Sequence, residues 1–173
     1  ISAYKSAAQG NCGINTFSDN FGIKLAELAE KDKNICAISA AMKYGTGLQY
    51  FAAKFHERFY DVGIAEQHAV TFSGGLAKSG KIPVFAVYSS FIQRSYDQII
   101  HDAAIDDLHI VLAIDRAGIV GEDGETHQGI FDIPMLTGIP NTTIYAPSNF
   151  IEQDMCLEKA LYNTDGVAAI RYP

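Results

Sequence analysis

The sequence predicts an α/β domain, doubly wound, with a mostly parallel sheet and helices on both faces. Three observations carry that expectation. Six apolar runs have strand length: "ICAIS" (35–39), "RFYDV" (58–62), "VFAVY" (84–88), "HIVLAI" (109–114), "TTIYA" (142–146) and "VAAIR" (167–171). They are largely continuous rather than alternating, the pattern of strands covered on both faces. Helix-length segments at 48–55, 65–79, 91–105 and 150–163 separate most of them, and such alternation of strand and helix belongs to parallel sheets. Finally, 173 residues with 48% apolar content suit one domain, which at this size buries roughly 70% of its unfolded surface.

Taken in order, residues 1–15 are small and polar without a period and read as a linker or disordered arm, so the domain is expected over 16–173. Thr16 is a candidate N-cap, and Phe17, Phe21, Leu25 and Leu28 recur at helical spacing, which predicts a helix to about Lys31. The stretch "FYDVGIAEQHAVTFSGGLA" (59–77) then sets three polar side chains, Glu66, Gln67 and His68, between an apolar strand and an apolar helix. Asn149 in "APSN" reads as the N-cap of the last helix. No repeat or low-complexity segment interrupts the chain.

Composition excludes several classes of partner. Twenty acidic residues against thirteen basic ones give a net charge of −7, which argues against nucleic acid and against an anionic membrane surface. No apolar run approaches the ~20 residues of a membrane span, and the first residues lack the apolar core and basic flank of a signal peptide, so a cytoplasmic setting is expected. Cys12, Cys36 and Cys156 are odd in number and form no CxxC pair, which predicts reduced thiols and no zinc site.

In a doubly wound sheet, ligands bind beyond the carboxyl ends of the strands. Glu66 follows the second run; Tyr88, Phe91 and Arg94 follow the third; Asp115, Arg116 and the loop "AGIVGEDGETHQG" follow the fourth; Arg171 ends the sixth. Three of the four arginines therefore fall on one predicted edge, where guanidinium forks could grip a phosphate or carboxylate. Each arginine taken singly reads rather as a surface salt bridge, whereas three on one edge favour a site. Glu66 could simply complement a helix dipole. Its apolar flanks, however, predict a desolvated carboxyl, suited to exchanging a proton near neutrality. His68 and His127 read as ordinary hydrogen-bonded histidines when taken alone, but His127 lies in a long glycine-containing loop, where binding residues concentrate.

The motifs carry the reading further. "DVGIAEQHAVTFSGGLA", "YSSFIQRSYDQIIHDAAIDDLHIVLAIDRAGIVGEDGETHQGIFDIPML" and "IYAPSN" closely resemble the pyrimidine-binding domain of the 1-deoxy-D-xylulose-5-phosphate synthase family, thiamine diphosphate enzymes of the transketolase superfamily. The resemblance runs from about Phe17 to Pro173, and "RAGIVGEDGETHQG" sets it apart from transketolase and the pyruvate dehydrogenase β subunit. It implies the thiamine diphosphate-binding fold. It further implies that Glu66 hydrogen-bonds N1′ of the cofactor's aminopyrimidine, so that the 4′-nitrogen can take the C2 proton of the thiazolium. Ile64 and Phe91 would contact the cofactor, Phe91 by stacking on the pyrimidine, although its spacing suits a core aromatic equally well. Arg94, Arg116, Asp123 and Arg171 would bind substrate, with Tyr88 and His127 near the reacting carbons. The implied substrates are pyruvate, which loses carbon dioxide, and glyceraldehyde 3-phosphate. The product is a precursor of isoprenoids, thiamine and pyridoxal phosphate.

One departure matters. The family holds the diphosphate and Mg2+ through a separate domain with a GDG motif followed some thirty residues later by Asn. Here "EDG" (122–124) lacks the first glycine, so no metal ligand is assigned. The expectation is a fragment, or one subunit of a split enzyme, that works in a homodimer with the missing domain and does not catalyse alone. Two alternatives stay open: a subunit of a transketolase-like or 2-oxo acid dehydrogenase system, and a non-catalytic binding domain.

Overall fold

A computed structural model describes residues 16–121 and 123–173. The arm expected over 1–15, Cys12 and Glu122 lie outside the described residues. Six strands form one sheet: β1 (Ile35–Ser39), β2 (Phe59–Asp61), β3 (Ile82–Tyr88), β4 (Ile110–Asp115), β5 (Thr142–Tyr145) and β6 (Val167–Arg171). Their order is β2-β1-β3-β4-β6-β5, and every pairing is parallel. The central runs are continuous because both faces are covered: β4 is buried at all six positions and β1 at all five.

Side-chain alternation divides the apolar residues between two cores. On one face Ile35, Ala37, Val84, Ala86, Val111 and Ala113 pack against α1 (Phe17–Lys31), α2 (Gln49–Lys54) and α7 (Phe150–Tyr162). On the other Ile38, Phe85, Val87, Leu112 and Ile114 pack against α3 (Glu66–Lys78), α4 (Ser89–Ile92), α5 (Tyr96–Ile99) and α6 (Asp132–Leu136). The predicted caps are present: Thr16 accepts from Asp19 N at 3.0 Å and Asn149 from Glu152 N at 2.9 Å, each satisfying a first-turn N–H.

Some boundaries differ from the expected ones, for local reasons. β3 begins at Ile82 rather than 84, since Pro83 sits near the strand's start, where a missing N–H costs least. Arg58 does not open β2. It ends a 3-10 turn and donates to the carbonyls of Ala29, Asp32 and Ile35 at 3.0–3.1 Å, tying α1 to β1. The single helix expected over 91–105 is four pieces: α4, a 3-10 turn at Gln93–Ser95, α5 and a π turn at Ile100–Ala104. Ser95 Oγ donates to Ile92 O at 2.9 Å, the back-bonding that bends helices, and Arg94 lies at that bend. The short α6 has no counterpart among the expected helices.

β1 neighbours both β2 and β3, so the chain reverses its direction of travel across the sheet there. In doubly wound folds a crevice opens at that switch point, beyond the strand ends.

Candidate active site

The crevice is present and polar at its floor. A cavity of about 200 Å³ is lined by Ala40, Ala41 and Met42 after β1, by Ile64 and Glu66 after β2, and by Phe91 and Arg94 after β3. Its shape depends on Asp61 at the end of β2. Asp61 Oδ1 accepts from Ala41 N at 2.9 Å and from Gly63 N at 3.0 Å, tying together the turns that present Met42 and Ile64. Glu66 opens α3 and is 2% exposed. Arg94 Nη1 stands 3.0 Å from Glu66 Oε2, but the pair is poorly aligned, and Oε2 has no directed hydrogen bond. Ile64, 74% exposed, forms the lip. Of the three polar residues at this junction, only Glu66 turns inward; Gln67 and His68 face solvent, and His68 packs its ring on Phe72.

A second group of residues adjoins this cavity through Tyr88 and Phe91. Their rings stack with centroids 5.7 Å apart, and His127 meets the edge of Phe91 at 5.2 Å. On the side of Tyr88 the Arg116 guanidinium lies 3.9 Å from the ring centroid, a cation–π contact. Arg116 Nε donates to Asp123 at 2.6 Å, and Nη1 donates to Gly45 O at 2.8 Å and Asp115 Oδ1 at 3.1 Å. Gly45 must be glycine for Tyr88 to approach, since a Cβ there would stand 1.8 Å from the tyrosine oxygen. His127 Nδ1 is hydrogen-bonded to Thr126 Oγ1 at 2.8 Å, leaving Nε2 free to face a ligand.

The loop carrying Asp123 and His127 closes at its base, where Gly118 and Gly129 exchange backbone hydrogen bonds of 2.7 Å. A Cβ on Gly129 would sit 2.2 Å from Arg116 O, with Ser89 Cβ at 2.7 Å. Gly129→Ala should therefore cost about 2 kcal/mol by overpacking against backbone that cannot yield. Urea unfolding measures that loss, and faster exchange of the Gly118 amide would locate it at the loop base.

Of the predicted residues, Ile64, Glu66, Phe91 and Arg94 share one cavity, and Tyr88, Arg116, Asp123 and His127 form one contact chain beside it. Arg171 stands apart. Its Nε donates at 2.7 Å to Asp132, which is 2% exposed, and it does not line the Glu66 cavity. Every arginine on this edge is thus already facing a carboxylate. Asp132 is 39 positions from Arg171 in the chain, and no local pattern marks it. Among the described residues, no group of three or more His, Cys, Asp or Glu could hold a metal ion, and Cys36 and Cys156 are free thiols.

Asp115 is the most deeply buried carboxylate of the second group, at 1% exposure. Burial raises its pKa to about 6 from an ordinary 3.8, against the opposing pull of Ser18 and Arg116. Below pH 4 it is protonated both folded and unfolded and makes no difference. Between pH 4 and 6 ionisation favours the unfolded chain, and above 6 the cost is complete, about 3 kcal/mol. Asp115→Asn should melt higher than the wild type at pH 7.5, with the gain fading as the pH falls to 4.

The family "Transketolase, pyrimidine binding domain" matches residues 15–173, and the chain belongs to it. Within that family the chain is 58% identical over 159 residues to 1-deoxy-D-xylulose-5-phosphate synthase of Clostridium kluyveri, covering 92% of this chain and 25% of that protein. The synthase of Chlorobaculum tepidum is 57% identical over 166 residues, covering 96% and 26%. The chain spans about a quarter of the length of these relatives. Among solved structures, a split-gene transketolase in the form of an inactive β4 tetramer is 28% identical, with a TM-score of 0.78 over 90% of this chain and 50% of that one. Transketolase of Leishmania mexicana, 22% identical, superposes with a TM-score of 0.83 over 98% of this chain and 27% of that one, which speaks to the fold.

The residues present also fit the aminopyrimidine of thiamine diphosphate. A buried carboxyl oxygen lacking a directed partner, with a phenylalanine ring and aliphatic side chains around it, suits a flat heteroaromatic ring carrying a hydrogen-bonding nitrogen. No helix among the described residues is long and apolar enough to cross a membrane.

Proposed function

We propose that this chain is the cofactor-activating domain of a cytoplasmic, thiamine diphosphate-dependent transferase that joins pyruvate, with loss of carbon dioxide, to glyceraldehyde 3-phosphate, making 1-deoxy-D-xylulose 5-phosphate. The observation that carries this reading is Glu66, buried at the switch-point crevice with an oxygen that no donor properly satisfies. When bound, thiamine diphosphate supplies the nucleophilic carbon and electron sink that decarboxylation needs. Glu66 holds a proton toward the ring nitrogen, a bond that gains strength from exclusion of water. Phe91 offers its face to the ring, and Ile64 and Met42 close the apolar walls.

Arg116 is the phosphate-binding candidate for the acceptor. Tyr88 supports its guanidinium from one side, and Asp123 and Gly45 O fix the fork. His127 stands at the edge of Phe91 with Nε2 available to move a proton at the acceptor aldehyde. Arg94 can exchange Glu66 for an anionic substrate group, being 44% exposed. Arg171, paired with Asp132 away from the Glu66 cavity, makes no substrate contact in this reading. The diphosphate and its Mg2+ are assigned to another domain or subunit, so the chain alone is not expected to turn over. Ile64 and Ile119, 74% and 87% exposed beside the site, suit burial by that domain or by a second copy in a homodimer.

The test is carbon dioxide release from pyruvate by the native assembly containing this chain, with thiamine diphosphate and magnesium. Release that requires glyceraldehyde 3-phosphate supports the reading. No release under those conditions overturns it, and transfer from ketose phosphates in place of pyruvate would move the assignment to a transketolase.

A further inference from the structure

Arg116 has an uncommon backbone: its φ is +55°, in the left-handed region that disfavours side chains with a Cβ. The structure offers one compensating device. Asp115, at the last position of β4, turns its carboxyl back so that Oδ1 accepts from Arg116 N at 2.8 Å and from Arg116 Nη1 at 3.1 Å. One oxygen thus grips both ends of the next residue. The other, Oδ2, is buried without a well-aligned hydrogen bond, although the Ser18 hydroxyl of α1 faces the carboxyl. Asp123 from the loop shares with Asp115 a cavity of about 210 Å³, and buried Tyr172, just beyond β6, lies near enough to feel the Asp115 charge.

Such a carboxylate is a poor stabiliser. It forgoes solvation and leaves Oδ2 with no better than a poorly aligned hydroxyl, and a neutral amide would fill the same space. Its return lies in the neighbour it grips. We propose that Asp115 is the positioning residue of this site, locking Arg116 in its left-handed turn and setting where the guanidinium stands above Tyr88. The inference rests on the reading of Arg116 as the group that receives the acceptor's phosphate. Asp115 touches no substrate in this scheme and acts through Arg116.

The test uses the native assembly with wild type, Asp115→Asn and Arg116→Ala, measuring steady-state kinetics for glyceraldehyde 3-phosphate and pyruvate between pH 5 and 8. Asparagine keeps the acceptor for Arg116 N and keeps the volume, so the variant folds. It loses the charge that draws in the guanidinium. The expected result is a KM for glyceraldehyde 3-phosphate raised about fivefold to tenfold, the gap between a charged and a neutral hydrogen bond, with smaller changes in kcat and in the KM for pyruvate. The wild-type KM should also climb as the pH falls through about 6, where Asp115 takes up its proton, with a component that Asp115→Asn lacks. The substrate phosphate titrates alike in both proteins and cancels. If Arg116→Ala raises that KM but Asp115→Asn leaves both it and its pH dependence as in the wild type, the positioning role is overturned while Arg116 keeps its own. If Arg116→Ala does not raise it, the reading of Arg116 fails and this inference with it. Equal losses for both substrates in Asp115→Asn would mean a general structural role and would also overturn it.

Discussion

Glu66→Gln should reduce acceptor-dependent carbon dioxide release by about 10²–10⁴-fold, the range that a positioned proton-transfer group contributes. Glutamine has nearly the same shape and can still reach a ring nitrogen, but it cannot hold and release a proton there. The fold should hardly notice. Glu66 Oε2 makes no directed hydrogen bond to lose, and the ion-pair partner, Arg94, has 44% of its side chain in solvent, where such pairs are worth little. An unchanged melting temperature with collapsed turnover would assign the loss to chemistry. Exchange of the cofactor's C2 proton, followed by NMR with each variant, gives a second measure that does not depend on either substrate. Near-normal exchange and turnover in Glu66→Gln would sink the proposed role.

Arg116→Ala is expected to raise the KM for glyceraldehyde 3-phosphate by about 10–100-fold while changing that for pyruvate little, since a charged hydrogen-bond network to phosphate contributes about 1.5–3 kcal/mol. The geometry explains the selectivity. The guanidinium is fixed by Tyr88, Gly45 O, Asp115 and Asp123, so its donors are oriented before any ligand arrives. Removing it also strands Asp115, a buried carboxylate, and the alanine variant should lose stability for that reason. Arg116→Lys separates the two effects. It keeps a positive charge beside Asp115, and so most of the stability, but lacks the planar fork, so the KM should still rise about tenfold. Loss of affinity for both substrates in equal measure would remove the phosphate role from Arg116.

The strands and the main helices were legible because their signals are local. A run such as "IVLAI" can be satisfied only where both faces are covered, and Thr16 and Asn149 cap their helices through side chains three residues from the N–H groups they bind. Glu66 was legible for a related reason: a charged residue between apolar flanks is a local contradiction that a folded protein resolves by burial or by use. The break at Gln93–Ser95 was harder to see, because "FIQRSYDQII" has good helical spacing and the bend arises from one hydroxyl bonding backward.

What the residues of this chain determined by themselves was the order of strands and helices, the parallel sheet, and the candidate groups that follow each strand. Tertiary structure alone decided which groups work together. It placed Glu66 and Phe91 around one cavity and set Arg116 over Tyr88. It gave Arg171 to Asp132, 39 positions away, and showed that a carboxylate confronts each arginine of the edge. The reason is physical: a sequence pattern reports which face a residue turns to, whereas a buried charge must find its partner wherever the fold brings one within about 3 Å, at any distance along the chain.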